Sequence, residues 1–169
     1  MGALIDVANR DRILGLVNEF GEQHRMVVRG VLVEGLPRHG AFVSPTLVEV
    51  DEPRCPAVQN EHFAALMTLE VFDDDRSGVA LANATRFGLG ASVWSRDGTR
   101  AHRIARAIRR GTVWINSHNK LFAEAEVGGY NDSGLGRLRG IEGLYDFIET
   151  KHVYEELDLM PVDTLAAQP

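Results

Sequence analysis

The stretch from Gly111 to Gly143 constrains this chain more than any other. It opens as Gly-Thr-Val-Trp-Ile-Asn (Gly111–Asn116), crosses a polar loop, and then reads Gly-Gly-Tyr-Asn-Asp-Ser-Gly-Leu-Gly-Arg-Leu-Arg-Gly (Gly128–Gly140). A short apolar, β-prone run entered from a glycine predicts a buried strand. Gly128, Gly129, Gly134, Gly136, Gly140 and Gly143 predict a backbone that takes positive φ or passes close to another group. The spacing is not that of a phosphate loop: Gly134-Leu135-Gly136 lacks the third glycine of a dinucleotide fingerprint, and no Gly-Lys-Ser/Thr follows.

The rest of the chain alternates helical and strand patterns. Asp6 is placed to cap a helix whose Ile13, Leu16, Val17 and Phe20 share one face. Met26–Val28 and Val31–Val33 read as a strand and an edge segment, and Phe42–Val50, with Pro45 inside it, as an edge or loop-like strand and not a central one. Asp51–Pro56 is a polar loop carrying Cys55, and Leu66–Phe72 is a β run. Asp73–Arg76 starts a helix that closes near Thr85, and Gly88–Trp94 is a strand. Thr99 caps a helix with an Ala101, Ile104, Ala105, Ile108 stripe that Gly111 ends. Ile141, Leu144, Phe147 and Ile148 line a final helix, and Lys151–Leu157 returns as a strand. Such alternation predicts an α/β fold, a mostly parallel sheet with flanking helices.

With 169 residues, 44% hydrophobic and 25% charged, one folded domain is expected, burying about 70% of its unfolded surface. A net charge of −6 argues against nucleic acid or an anionic membrane as partner. Arg100, Arg103, Arg106, Arg109 and Arg110 flank one apolar stripe and read as a solvated face. The start, Met-Gly-Ala-Leu-Ile-Asp, predicts no leader peptide. The single cysteine fits a reducing cytoplasm, and the histidines show no metal-ligand spacing, so no metal site is expected.

The glycine-rich stretch resembles the C-terminal end of the aldehyde dehydrogenase superfamily, which carries Gly-x-Val-Trp-Ile/Val-Asn followed by Gly-Gly-x-x-x-Ser-Gly-x-Gly-Arg. Those elements stand at Gly111–Asn116 and Gly128–Arg137. Ala82–Leu89, Val93–Asp97 and Phe42–Thr46 extend the likeness over roughly Gly2 to Leu157. The resemblance implies a partial catalytic domain over residues 1–158 with an oligomerisation strand at 151–158, and the terminal residues 159–169 are expected to be a disordered tail.

It also implies roles for particular residues. Asn60-Glu61-His62-Phe63 stands where the family has Glu-Glu-Ile-Phe-Gly-Pro, so Glu61 inherits the hydrogen bonds to the nicotinamide ribose and Phe63 the packing beside the nicotinamide. A carboxylate suits a diol because it accepts from both hydroxyls. Ala64-Ala65 replaces the family's Gly-Pro. Asn116, Leu121 and Val127 fall on the wall of the family's substrate tunnel, where aliphatic side chains leave it wide, and Glu126 replaces a common proline. Arg137 is expected to donate to backbone carbonyls. Cys55 does not match the family's Gly-Gln-x-Cys nucleophile and is expected to be an ordinary loop thiol.

The family's cysteine nucleophile, glutamate base and cofactor domain all precede the region this chain resembles. No catalytic residue is therefore assigned. NAD or NADP is the family's cofactor, and the chain alone is not expected to bind it. Two readings stand side by side. One is an aldehyde dehydrogenase fragment, catalytic only with a partner that supplies the N-terminal part. The other is a non-enzymatic oligomerisation module that self-associates or pairs with full-length relatives.

Overall fold

The computed structural model describes residues 2–33, 35–37 and 40–156. The chain opens with α1, Val7–Gln23, where Asp6 accepts a hydrogen bond from the Asn9 N–H. Ile13, Val17 and Phe20 are buried on one face of it, at the spacing the sequence shows. Each buried side chain of this size contributes roughly 1.5–3 kcal/mol. Phe20 meets Val48, Val50 and Ala57 in the first core cluster.

β1 (Arg25–Val28), β2 (Thr46–Glu49) and β3 (Leu66–Leu69) form a sheet in the order β1-β2-β3. β1 runs antiparallel to β2 and β3 runs parallel to it. β2 is thus the central strand, where an edge strand was expected. Pro45 lies just before the ladder, so its missing N–H costs no pairing, and Thr46 N–H goes to Ala65 O at 2.8 Å. Between β2 and β3 stands a helical turn, α2 (Pro56–Gln59), inside what reads in sequence as loop.

The second half builds a separate unit. α3 (Asp75–Ala82) starts from a capping box in which Asp74 and Ser77 exchange hydrogen bonds. β4 (Gly90–Val93) and β5 (Thr112–Ile115) pair parallel, with α4 (Gly98–Ala107) as the crossover. Asp97 caps α4 by accepting from Arg100 N–H at 3.0 Å, in place of the expected Thr99, which already lies inside the helix. The helix closes at Ile108 in extended backbone, so Gly111 is not its stop. Val93, Ala101 and Ile108 form the second core cluster. β5 is half-buried along its length, less enclosed than its apolar pattern suggests.

The fold is α/β with parallel strand pairs and flanking helices, in two small sheets and not one. Two of the expected C-terminal elements differ. Residues Glu142–Phe147 form a 3-10 helix, with Leu144 and Phe147 exposed, in place of an amphipathic α-helix. The expected strand at Lys151–Leu157 is absent from residues 151–156, where Val153 and Tyr154 are exposed. Leu157 and the expected tail at 159–169 lie outside the described residues. Among the described residues no helix is long and apolar enough to cross a membrane.

Candidate functional site

The loop joining α2 to β3 carries Glu61 and Phe63, and the residue between them is the anchor. Arg12 Nη2 donates to His62 O at 2.7 Å. The His62 ring meets Phe20 edge-on at 5.3 Å, and its Nε2 lies 3.2 Å from Ala57 O. A carbonyl only accepts, so that nitrogen carries the proton. With His62 drawn inward, Glu61 and Phe63 face solvent, and Phe63 is 83% exposed. Phe63 also sits at φ 51°. For a bulky side chain that conformation costs of order 1–3 kcal/mol, and such strain concentrates where a side chain is held for a purpose.

Asn116, Leu121 and Val127 sit on the β4–β5 unit. Asn116 closes β5 at φ 50°, its N–H bonded to Val93 O at 2.9 Å. Its amide side chain grips the Ser95 backbone at both ends, accepting from N–H and donating to C=O, both at 2.9 Å. Trp114 Nε1 donates to Lys120 O at 2.8 Å, and the ring stacks edge-on with His118, which meets Ser92 Oγ at 2.9 Å. These contacts root the loop that carries Leu121, which is 41% exposed. Val127 is half-buried and exchanges two backbone hydrogen bonds with Leu138, at 2.8 and 2.7 Å. Glu126 accepts from Ile141 N–H at 3.2 Å. Its own N–H and those of Glu142 and Ile141 hold its carboxyl below the usual range.

The glycine segment is a tight crossing. Gly88 O accepts from both Gly111 N–H and Tyr130 N–H at 2.9 Å, and Gly88 N–H donates to Ser133 Oγ at 2.9 Å. One residue thus ties the starts of β4 and β5 to the glycine run. A side chain on Gly111 would run into Gly128 O. Arg137 Nη1 donates to Gly129 O and Gly136 O at 3.1 and 2.9 Å, and its guanidinium lies 5.5 Å from the Tyr130 ring centroid. That is the backbone role expected of Arg137. The part played by Gly88 is not evident from sequence, where it reads only as the start of a strand.

Glu61 and Phe63 stand on one unit and Asn116, Leu121 and Val127 on the other; no hydrogen bond or ring contact joins the two groups. A cleft of about 350 Å³, lined by Phe72, Asp75, Trp94, Arg100 and Ile104 among others, takes in none of the five. Asp75 accepts there from Arg100 Nε at 2.7 Å and Arg103 Nη2 at 2.5 Å. Part of the arginine face is therefore a tether between α3 and α4, and Arg110 Nη2 adds a bond to Ala82 O. Cys55 is half-buried and packs against the Phe20 cluster at the start of α2.

This arrangement has known counterparts. Residues 1–153 match the model of the aldehyde dehydrogenase family. The chain is 37% identical over 160 residues to betaine aldehyde dehydrogenase of Vibrio vulnificus (strain YJ016), a match spanning 93% of this chain and 33% of that protein. It is 32% identical over 158 residues to the NADP/NAD-dependent aldehyde dehydrogenase PuuC of Escherichia coli (strain K12), covering 94% of this chain and 31% of that one. A crystal structure of Staphylococcus aureus betaine aldehyde dehydrogenase in complex with NAD+ aligns at TM-score 0.83 and 31% identity, over 95% of this chain and 33% of that chain. The chain thus spans about a third of the length of these relatives. With residues 1–153 matched by the family model, 37% identity over 93% of the chain to one relative and the fold shared with a solved structure, the chain belongs to the aldehyde dehydrogenase family.

Proposed function

We propose that this chain is the C-terminal third of an NAD(P)-dependent aldehyde dehydrogenase and becomes catalytic only when the remaining part of the enzyme is supplied. The observation that carries the reading is the match over residues 1–153 by a chain spanning 33% of the Vibrio relative. NAD(P), when bound, supplies the hydride acceptor. Glu61 suits the ribose end of that cofactor: its carboxylate is exposed, on a loop fixed by Arg12 and His62, and accepts from both hydroxyls of a diol. Phe63, already held outward at a costly φ, offers its ring face to the nicotinamide.

On the other unit, Asn116 orients the turn out of β5 through Ser95. Leu121 and Val127 give the substrate wall an aliphatic lining that excludes water without charge. The thiol nucleophile and the general base come from the remaining part of the enzyme, because the one cysteine here packs beside the Phe20 core. The test mixes the purified chain with the preceding portion of Vibrio vulnificus betaine aldehyde dehydrogenase and follows NAD(P)H formation from betaine aldehyde. Turnover on mixing, and none from the chain alone, supports the proposal. Turnover by the chain alone that vanishes in Cys55→Ser contradicts it.

A further inference from the structure

β4 and β5 pair parallel, so both carboxyl ends leave the sheet on the side where open α/β folds bind their ligands. Ala91 and Val93, with Val113 and Ile115, turn toward α4 and its core cluster. By alternation the register pair Ser92 and Trp114 lies on the other face. There the indole lies against Gly90, where a Cβ would stand 2.9 Å from its Cζ3. The His118 ring meets that indole edge-on at 5.2 Å, and its Nδ1 lies 2.9 Å from Ser92 Oγ. A hydroxyl both donates and accepts, so Ser92 partners that nitrogen in either tautomer.

The turn beyond β5 has few bonds of its own. No backbone hydrogen bond closes residues 117–121 among the described residues, and Asn119 stands at φ 54°. Ser117 Oγ is enclosed there with no partner among the described residues. Two side-chain contacts hold the near end of the loop: Ser92 to His118, and Trp114 Nε1 to Lys120 O at 2.8 Å. Ala123 O, accepting from Gly140 N–H at 3.0 Å, holds the far end. Leu121 sits between the two anchors.

We propose that Ser92 and His118 are a positioning pair for the aldehyde: by fixing the turn at residues 117–121 they set where Leu121 meets the substrate. The inference rests on the function proposed above and adds two residues that shape its substrate wall without touching substrate or cofactor. Ser92 holds His118, His118 braces the Trp114 indole, and the indole N–H holds the backbone one residue before Leu121. Removing the Ser92 hydroxyl loosens Leu121 and leaves Glu61 and Phe63, on the other unit, as they were.

The first readout is hydrogen exchange of the Trp114 indole N–H in the chain alone, followed by NMR in a Trp94→Phe background. Ser92→Ala is expected to speed that exchange about 2–10-fold, the contribution of one hydrogen bond. His118→Phe keeps a ring against Trp114 and is expected to do the same, and the double variant no more, because both remove one bond. Ser92→Thr keeps the hydroxyl and the wild-type rate. The Gly140 amide, at the far anchor, reports global loosening and is expected to hold its rate. An unchanged indole rate in Ser92→Ala, or equal acceleration at Gly140, overturns the proposal. The second readout uses a chimera with residues 1–156 in place of the matching third of Vibrio vulnificus betaine aldehyde dehydrogenase. There Ser92→Ala is expected to raise the KM for betaine aldehyde by the same factor while kcat and the KM for NAD hold, and Ser92→Thr to restore it. A KM for NAD that rises in step overturns the positioning role. An inactive wild-type chimera, with indole exchange accelerated in Ser92→Ala, keeps the anchor and contradicts the proposed function, and an active chimera indifferent to Ser92→Ala does the reverse.

Discussion

Asn116 holds Ser95 through both ends of its amide, Oδ1 accepting from the Ser95 N–H and Nδ2 donating to the Ser95 C=O, each at 2.9 Å. The pair locks the exits of the neighbouring strands β4 and β5 in one geometry. Asn116→Ala removes both bonds and leaves a Cβ at φ 50°. A loss of about 1–3 kcal/mol is expected, read from chemical denaturation. Asn116→Gly removes the same bonds but accepts that φ freely, so it should cost less than Ala. Equal stability of all three proteins would show that the clamp contributes nothing.

The glycines divide by what surrounds them. A Cβ on Gly128 meets Gly136 O at 2.5 Å, and one on Gly129 meets the Ser133 backbone at 2.5 Å. Each change to Ala should cost about 1–3 kcal/mol. Neither these two nor Gly136 takes positive φ, as Gly134 and Gly140 do, so the cost is crowding and not backbone strain. Gly136→Ala meets only Asp146 Oδ2 at 3.2 Å and should cost less. Gly15, inside α1, has open space around it, and Gly15→Ala should stabilise by about 0.5–1 kcal/mol. Melting temperatures of the four variants check the order.

Where structure follows from neighbours in sequence, it was legible. Asp6 and the Ile13, Val17, Phe20 spacing specify α1, and the Gly111–Asn116 run specifies β5. Where two local signals compete, sequence alone does not decide: Asp97 and Thr99 both cap well, and the earlier one wins. The Ile141, Leu144, Phe147, Ile148 spacing is helical, yet the chain enters it from Gly140 at φ 57° and winds as a 3-10 helix with little to bury against. Pro45 marked β2 as an edge because sequence cannot show that the ladder begins one residue later. The outward turn of Glu61 and Phe63 depends on Arg12 reaching His62 across 50 residues, which no local pattern records. The same holds for the bonds that converge on Gly88.

Acid should weaken the cap and the tether of α3. Bonds from Arg100 and Arg103 hold the Asp75 carboxyl low, and the Ser77 N–H does the same for Asp74. A depressed folded pKa contributes stability above the unfolded value, about 4, that is lost as pH falls through the folded one. The melting temperature is expected to fall below about pH 4, and Asp75→Asn should flatten that fall.

Glu70 has the opposite sign. Its carboxyl is raised by burial, so the stability it contributes is complete below its unfolded value and lost as pH rises through the folded one. Glu70→Gln should therefore raise the melting temperature at pH 7 and leave it unchanged near pH 3. A lower melting temperature at pH 7 would mean that the Glu70 carboxylate is stabilised in the fold.

The most direct measurement joins this chain to the rest of the enzyme. A chimera carrying residues 1–156 in place of the matching third of Vibrio vulnificus betaine aldehyde dehydrogenase is assayed for NAD-dependent oxidation of betaine aldehyde. The account predicts that the chimera turns over. It also predicts that Glu61→Ala raises the KM for NAD by about 10–100-fold, the loss of charge-assisted hydrogen bonds to a diol. A folded chimera with no activity, or one whose KM for NAD ignores Glu61→Ala, contradicts it.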